Sequence, residues 1–129
     1  MNIPASDNLH LREEGAEIRI PFEYNRNDKG SLFAGSIYAG AILAAYRAAE
    51  RRFAERGLAG DLVAKTASVS YLKRIASDGC AVATACGEPL LRPNGNRALS
   101  VTVAISDAEG TRCAEVTAEL VLLKNRMAT

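Results

Sequence analysis

Asn27, Asp28, Lys29, Gly30, Ser31, Leu32, Phe33, Ala34, Gly35, Ser36 is a polar turn punctuated by glycine, and it runs straight into a proline-free, alanine-rich stretch. In the first half of that stretch small residues (Gly40, Ala41, Ala44, Ala45, Ala48, Ala49) alternate with Ile37, Tyr38, Ile42, Leu43 and Tyr46 around most of a helical wheel. A helix apolar on most sides is enclosed rather than surface-lying, and small side chains let a sheet approach its axis. The helix is expected to start near Gly35 or Ser36. It should end near Arg56, since Gly57 suits the position after a C-cap and Arg51, Arg52 and Arg56 suit the negative end of the dipole.

The rest of the chain reads as strand. Ile18, Ile20 and Phe22 alternate with Glu17, Arg19 and Pro21 over 16–24, and Pro21, which cannot donate to a ladder, belongs at an edge or an unpaired position. Further strands are expected over 61–75, 80–87, 98–106 and 111–124, separated by turns at Ser77-Asp78-Gly79, Asn94-Gly95 and Asp107-Ala108-Glu109-Gly110. Leu99, Val101, Val103 and Ile105 should share one face. One helix followed by hairpin-connected strands implies an α+β domain with an antiparallel sheet. Residues 1–15 read as an irregular lead-in and 16–129 as a single domain.

Composition narrows the partners. With 16 Lys+Arg against 15 Asp+Glu the net charge is +1, so no global field favours nucleic acid or an anionic membrane. No apolar run reaches the length of about 20 residues that spans a bilayer, and no secretory leader is evident, which makes the cytoplasm the default. Three dispersed cysteines and one histidine, His10, suggest free thiols rather than a disulfide framework or a metal site, and no cofactor is implied.

Strand, turn, long helix and a run of strands is the order of the hotdog fold, in which a central helix is wrapped by a curved antiparallel sheet of five to six strands. The chain resembles acyl-CoA thioesterases of that fold, whose helix entry often reads Asn-Pro-x-Gly-x-x-His-Gly-Gly; Asn27 to Gly35 matches it in spacing. Within that group it is similar to the thioesterase-domain family of YiiD C-terminal type, on Asn27, Asp28, Lys29, Gly30, Phe33, Gly35, Ser36 and Tyr38, and on Tyr71, Leu72, Lys73, Arg74. Phe33 replaces the histidine of the wider pattern and Ala34 its first glycine. The helix acid of many relatives falls on Ile42, and no helix carboxylate precedes Glu50.

Thioester hydrolysis needs an oxyanion site and a positioned water. Unpaired N–H groups at a helix start supply the first, with Gly35, and Ala34 or Ser36 beside it, as donors. Asn27 suits orienting a nucleophile and Asp28 acting as base, though both are also ordinary turn formers. Ser36 suits either an N-cap or a nucleophile. Phe33, Tyr38 and Tyr71 are candidates for the acyl-binding wall, with Tyr46 as a further helix tyrosine that either lines a tunnel or packs in the core. Ser68 and Ser70 share a strand face from which a hydroxyl could reach a site on a second copy. Lys73, Arg74, Arg92 and Arg97 form a candidate anion patch for coenzyme A or an acyl-carrier protein. The resemblance also implies a homodimer or a dimer of dimers with sites at the subunit interface. The alternative readings are a non-catalytic acyl-binding or assembly module and, more remotely, a dehydratase.

Overall fold

The computed structural model describes residues 2–124; the expected end of the domain at 129 lies outside them. A helix of 22 residues, α3 (Ala34–Glu55), lies against one face of a seven-stranded antiparallel sheet. Before it come α1 (Pro4–Asn8), β1 (Arg12–Glu14), β2 (Glu17–Ile20) and α2 (Phe22–Asn25). After it come β3 (Leu62–Tyr71), β4 (Gly79–Cys86), β5 (Leu90–Leu91), β6 (Arg97–Ser106) and β7 (Arg112–Leu122). The strand order is β1-β2-β4-β6-β7-β3, with β5 added to β6 by the hairpin at Gly95.

The central helix is enclosed as its composition requires. Ile37, Gly40, Ala41, Leu43, Ala44, Ala45, Ala48, Ala49 and Phe53 are all buried, and they pack on the inward residues of β6 (Leu99, Val101, Val103, Ile105) and β7 (Ala114, Val116, Ala118, Leu120). Ladder irregularities at Ala64/Thr66, Ala83/Ala85 and Ile105/Ser106 add local twist, which curves the sheet around the helix. At the far end Gly57, with φ of +69°, donates to Ala54 O at 3.0 Å while Leu58 N donates to Phe53 O at 2.9 Å. That is the paired-bond arrangement that closes a helix on glycine.

Four expectations need correction. Phe33, not Ser36, is the N-cap of α3; Ser36 lies inside the first turn, buried, with its N–H bonded to Phe33 O at 3.0 Å. The strand over 16–24 stops at Ile20, because Pro21 turns the chain into α2. The lead-in is built rather than irregular, holding α1 and β1, and β1 pairs with β2. Finally, β3 and β4 do not form a hairpin. Residues 72–78 carry the chain back across the molecule, so among the described residues β3 pairs only with β7 and is an edge strand. Alternation in sequence reports which face a residue occupies and is silent about which strand lies beside it.

Candidate functional site

The loop between α2 and α3 is held on both sides. Phe33 N donates to Asn25 O at 2.8 Å, Leu32 N to Ile75 O at 2.8 Å, and Arg74 Nη2 to Lys29 O at 2.8 Å. Within the loop the Asn27 carboxamide is the organiser: its Oδ1 accepts from Lys29 N at 2.9 Å and Ser31 N at 3.1 Å, and its Nδ2 donates to Ser31 Oγ at 3.0 Å. These bonds fix the direction from which the chain enters α3.

That entry is chemically open. No side chain caps α3, and its first turn carries no acidic residue. Ser36 N and Ile37 N both bond to Phe33 O, whereas Ala34 N and Gly35 N have no acceptor among the described residues. Two unpaired donors at the positive end of a helix dipole suit a developing anion. Of the three expected donors, then, Ser36 is already engaged. Gly35 also has a neighbour: a β-carbon there would lie 2.6 Å from Phe33 Cε2, so its missing side chain accommodates the Phe33 ring.

A cleft of about 360 Å³ opens beside this helix start, lined among others by Ser31, Ala34, Ile37, Tyr71, Lys73 and Arg74. Tyr71, at the end of β3, crosses to the helix and donates from Oη to Ala34 O at 3.0 Å. Burial, reinforced by the neighbouring Tyr38, raises the Tyr71 pKa above the ordinary phenol value, so the group stays a neutral donor. Tyr71 is half-exposed, and Leu72 and Phe33 are exposed beside it.

The other expected residues are dispersed. Asp28 lies outside the cleft lining, with its side chain 89% exposed and Lys29 Nζ 3.9 Å from its carboxylate. Arg92 and Arg97 do not join Lys73 and Arg74 in one patch within the chain. Arg97 pairs with Leu122 while Tyr71 pairs with Ala114, eight residues along β7 or about 27 Å. Arg92 is bonded to Glu119 Oε2 at 3.1 Å. Ser68 and Ser70 sit opposite Thr117 and Glu115, on the sheet face away from the helix. Tyr46 is a packed tyrosine whose hydroxyl accepts from Ala64 N at 2.9 Å. His10 stacks on Tyr24 with ring centroids 3.8 Å apart.

One residue that sequence reading passed over matters here. Asn25 is buried, and its Nδ2 donates to Leu9 O at 2.8 Å and Pro21 O at 2.9 Å, tying the N-terminal segment to the helix entry. In the sequence it is one more turn-forming asparagine. Among the described residues no group of three or more His, Cys, Asp or Glu is placed to hold a metal ion. None of their helices is long and apolar enough to cross a membrane.

A long buried helix, an antiparallel sheet curved around it and an open helix start facing a cleft define a hotdog-fold protein. Over residues 1–124 the chain matches the model of the family described as putative thioesterase (yiiD_Cterm), and it belongs to that family. No curated protein matches it. Among solved structures it is similar to the putative thioesterase from Shewanella oneidensis (TM-score 0.80, 20% identity, covering 95% of this chain and 90% of that one). It is also similar to a probable thioesterase from Pseudomonas aeruginosa (TM-score 0.71, 19% identity, 95% and 89% covered). A protein from Bacillus halodurans solved with CoA matches at TM-score 0.71 and 16% identity, with 95% and 78% covered. At these identities the structural likeness establishes the fold.

Proposed function

We propose that the protein hydrolyses acyl thioesters of coenzyme A or of an acyl-carrier protein in the cleft at the start of α3. The observation that carries this reading is the pair of unpaired N–H groups, Ala34 and Gly35, at an uncapped helix start beside the Tyr71 phenol. A thioester carbonyl received there has its oxygen polarised by both amides as water attacks the carbon. The tetrahedral oxyanion then collapses with expulsion of the thiolate. Asn27 holds the loop that aims these donors; Asp28, on the same loop but outside the cleft lining, is the carboxylate to which the attacking water's proton passes through solvent. Ser36, buried behind the donors, supports the first turn. Phe33 and Tyr38 flank the acyl group. The CoA-bound Bacillus halodurans structure favours coenzyme A as a carrier.

The assembly we propose is a homodimer formed along β3, on which a dimer of dimers can be built. That strand has an open edge of ten residues and exposes Val63, Val69 and Tyr71, continued by Leu72. An antiparallel pairing of two such edges brings the Lys73 and Arg74 end of one copy beside the Arg92 and Arg97 end of the other. The cations separated within one chain would thereby share one carrier-binding surface.

A second reading, an acyl-binding module without turnover, is favoured by one feature: neither a carboxylate nor a histidine is among the residues lining the cleft. Thiol release from a series of acyl-CoA and acyl-carrier-protein thioesters separates the two. Hydrolysis is expected, with kcat/KM about tenfold lower in Tyr71→Phe, which corresponds to roughly 1.4 kcal/mol of lost transition-state stabilisation. Ligand-dependent thermal stabilisation with no thiol released from any thioester would instead establish the binding module.

A further inference from the structure

The helix covers one face of the sheet unevenly. On β7, Ala114, Val116, Ala118 and Leu120 point toward α3 and are buried. Their ladder partners on β3 are, in the same order, Tyr71, Val69, Ala67 and Ala64, so these four share the inward face. All four are nonetheless exposed, Val69 at 36% and Tyr71 at 48%. The helix therefore covers β7 and stops short of β3. The seam left between α3 and β3 is tied at each end by a tyrosine hydroxyl. Tyr71 Oη donates to Ala34 O at 3.0 Å, and Tyr46 Oη accepts from Ala64 N at 2.9 Å. Strand and helix run in opposite directions here, so the end of β3 meets the start of α3.

The seam adjoins the cleft at the α3 entry through a shared residue. Tyr71 lines that cleft and is also the last residue of the inward row on β3. On the helix, Ala34, Tyr38, Ile42 and Tyr46 recur every four residues and form one stripe, and both ends of that stripe reach β3. Tyr38 lies close enough to the Tyr71 phenol to act on its ionisation. Between the two ties the row on the strand is Ala67 and Val69 and the stripe on the helix is Tyr38 and Ile42, none of them charged. The outward face of the same strand is of another kind, with Thr66, Ser68 and Ser70 opposite Glu119, Thr117 and Glu115. An uncharged, mostly apolar strip that begins at a thioester site suits hydrocarbon.

We propose that the acyl chain lies in this seam and that Tyr46, closing its far end, sets the length limit. The inference rests on the reading of the α3 entry as the thioester site, and it adds to that reading the residue that measures the chain. From Ala34 to Tyr46 the helix advances by about 18 Å. A long helical side chain leans back over the turn before it, so about 14 Å stays open, the length of an extended hydrocarbon of roughly ten to twelve carbons. A shorter chain leaves Ala67 and Val69 wet. A longer one meets the Tyr46 ring.

Binding of non-hydrolysable S-alkyl-CoA thioethers to the full chain, by calorimetry, tests this independently of turnover. From butyl to decyl the affinity of the wild type is expected to rise at least tenfold, and to gain nothing further at hexadecyl. Ala67→Phe fills the seam from an exposed strand position and should remove most of the gain between butyl and decyl. Thr66→Phe puts the same bulk on the outward face and should leave the profile as it is. Tyr46→Ala, or Tyr46→Leu if the first loses its cooperative thermal transition, opens the far end and should let hexadecyl bind more tightly than decyl. A length profile unchanged in Ala67→Phe and in a folded Tyr46 variant overturns the proposal, as does the absence of thioether binding. So does an equal effect of Thr66→Phe and Ala67→Phe. If Ala67→Phe leaves the profile unchanged but shifts the protein toward monomer in sedimentation, a second copy covers this face and the proposal falls. If the profile follows the variants but no acyl-CoA is hydrolysed, the seam stands and the hydrolase reading falls. If acyl-CoAs are hydrolysed with a length preference indifferent to both inward variants, the reverse holds.

Discussion

Gly35 and Gly40 stand five residues apart on the same helix, and each is pressed by a neighbour for a different reason. A β-carbon on Gly40 would lie 2.5 and 2.6 Å from Ile20 Cδ1 and Cγ1, and Ile20 is fully buried between helix and sheet. A β-carbon on Gly35 meets the Phe33 ring, which is 57% exposed and free to swing away. Gly40→Ala is therefore expected to destabilise by about 1–3 kcal/mol through overpacking, whereas Gly35→Ala should change stability by less than about 1 kcal/mol. Urea denaturation of the two variants checks this, and an equal cost would mean that Phe33 is less free than its exposure implies. Asn27 and Asn25 make a parallel contrast. The motif spacing singled out Asn27, and its carboxamide does organise the loop. Asn25 carries no such mark, because nothing local in a sequence distinguishes an asparagine facing solvent from one bonded to a carbonyl sixteen residues earlier.

Among the elements, β3 is the one whose surroundings are unfinished. Apart from Leu62 its residues are all exposed, and among the described residues no strand pairs with its outer edge. A lysine on an edge strand is a natural block to edge pairing. Val69→Lys is therefore expected to shift the protein toward monomer, with the sedimentation coefficient at micromolar concentration as the measurement. A wild type that is already monomeric at that concentration would remove the proposed assembly. The elements most legible in the sequence were those with enough residues to show a period: α3 with its glycine stop at Gly57, and β6 with Leu99, Val101, Val103 and Ile105 inward. Of the elements of two to five residues, β2 alone showed an alternation, at Ile18 and Ile20; α1, β1, α2 and β5 hold too little of a repeat to be told from turn. That N–H groups are left unpaired at the helix start was legible because it follows from backbone geometry. The cation patch was not, because it depends on which ends of which strands coincide.

On the scale of the whole molecule, pH links burial to stability through the three cysteines. Burial is the largest cause raising the thiol pKa of Cys80, Cys86 and Cys113; Cys113 is fully buried, with the Asp107 carboxylate 3.8 Å from its sulfur and raising it further. In the unfolded chain these thiols ionise near their ordinary value of about 8.5, while the folded protein keeps them protonated at higher pH. The folded state thus binds more protons than the unfolded state in that window. The stabilisation is fully present below the unfolded value and is lost as pH rises through the folded one. Tyr71, raised for the same reason, adds a loss of the same sign at higher pH. On the acid side the sign is opposite. The hydrogen bond from Arg47 lowers the Glu13 pKa, so its contribution is lost as pH falls, but this pair is partly exposed and contributes little. The urea midpoint is therefore expected to fall more steeply between about pH 8 and 10 than between about pH 5 and 7. Cys113→Ala should lower the midpoint at neutral pH, because it leaves a buried void, and should also flatten the alkaline decline. An alkaline slope in Cys113→Ala equal to that of the wild type would show that this thiol does not carry the effect.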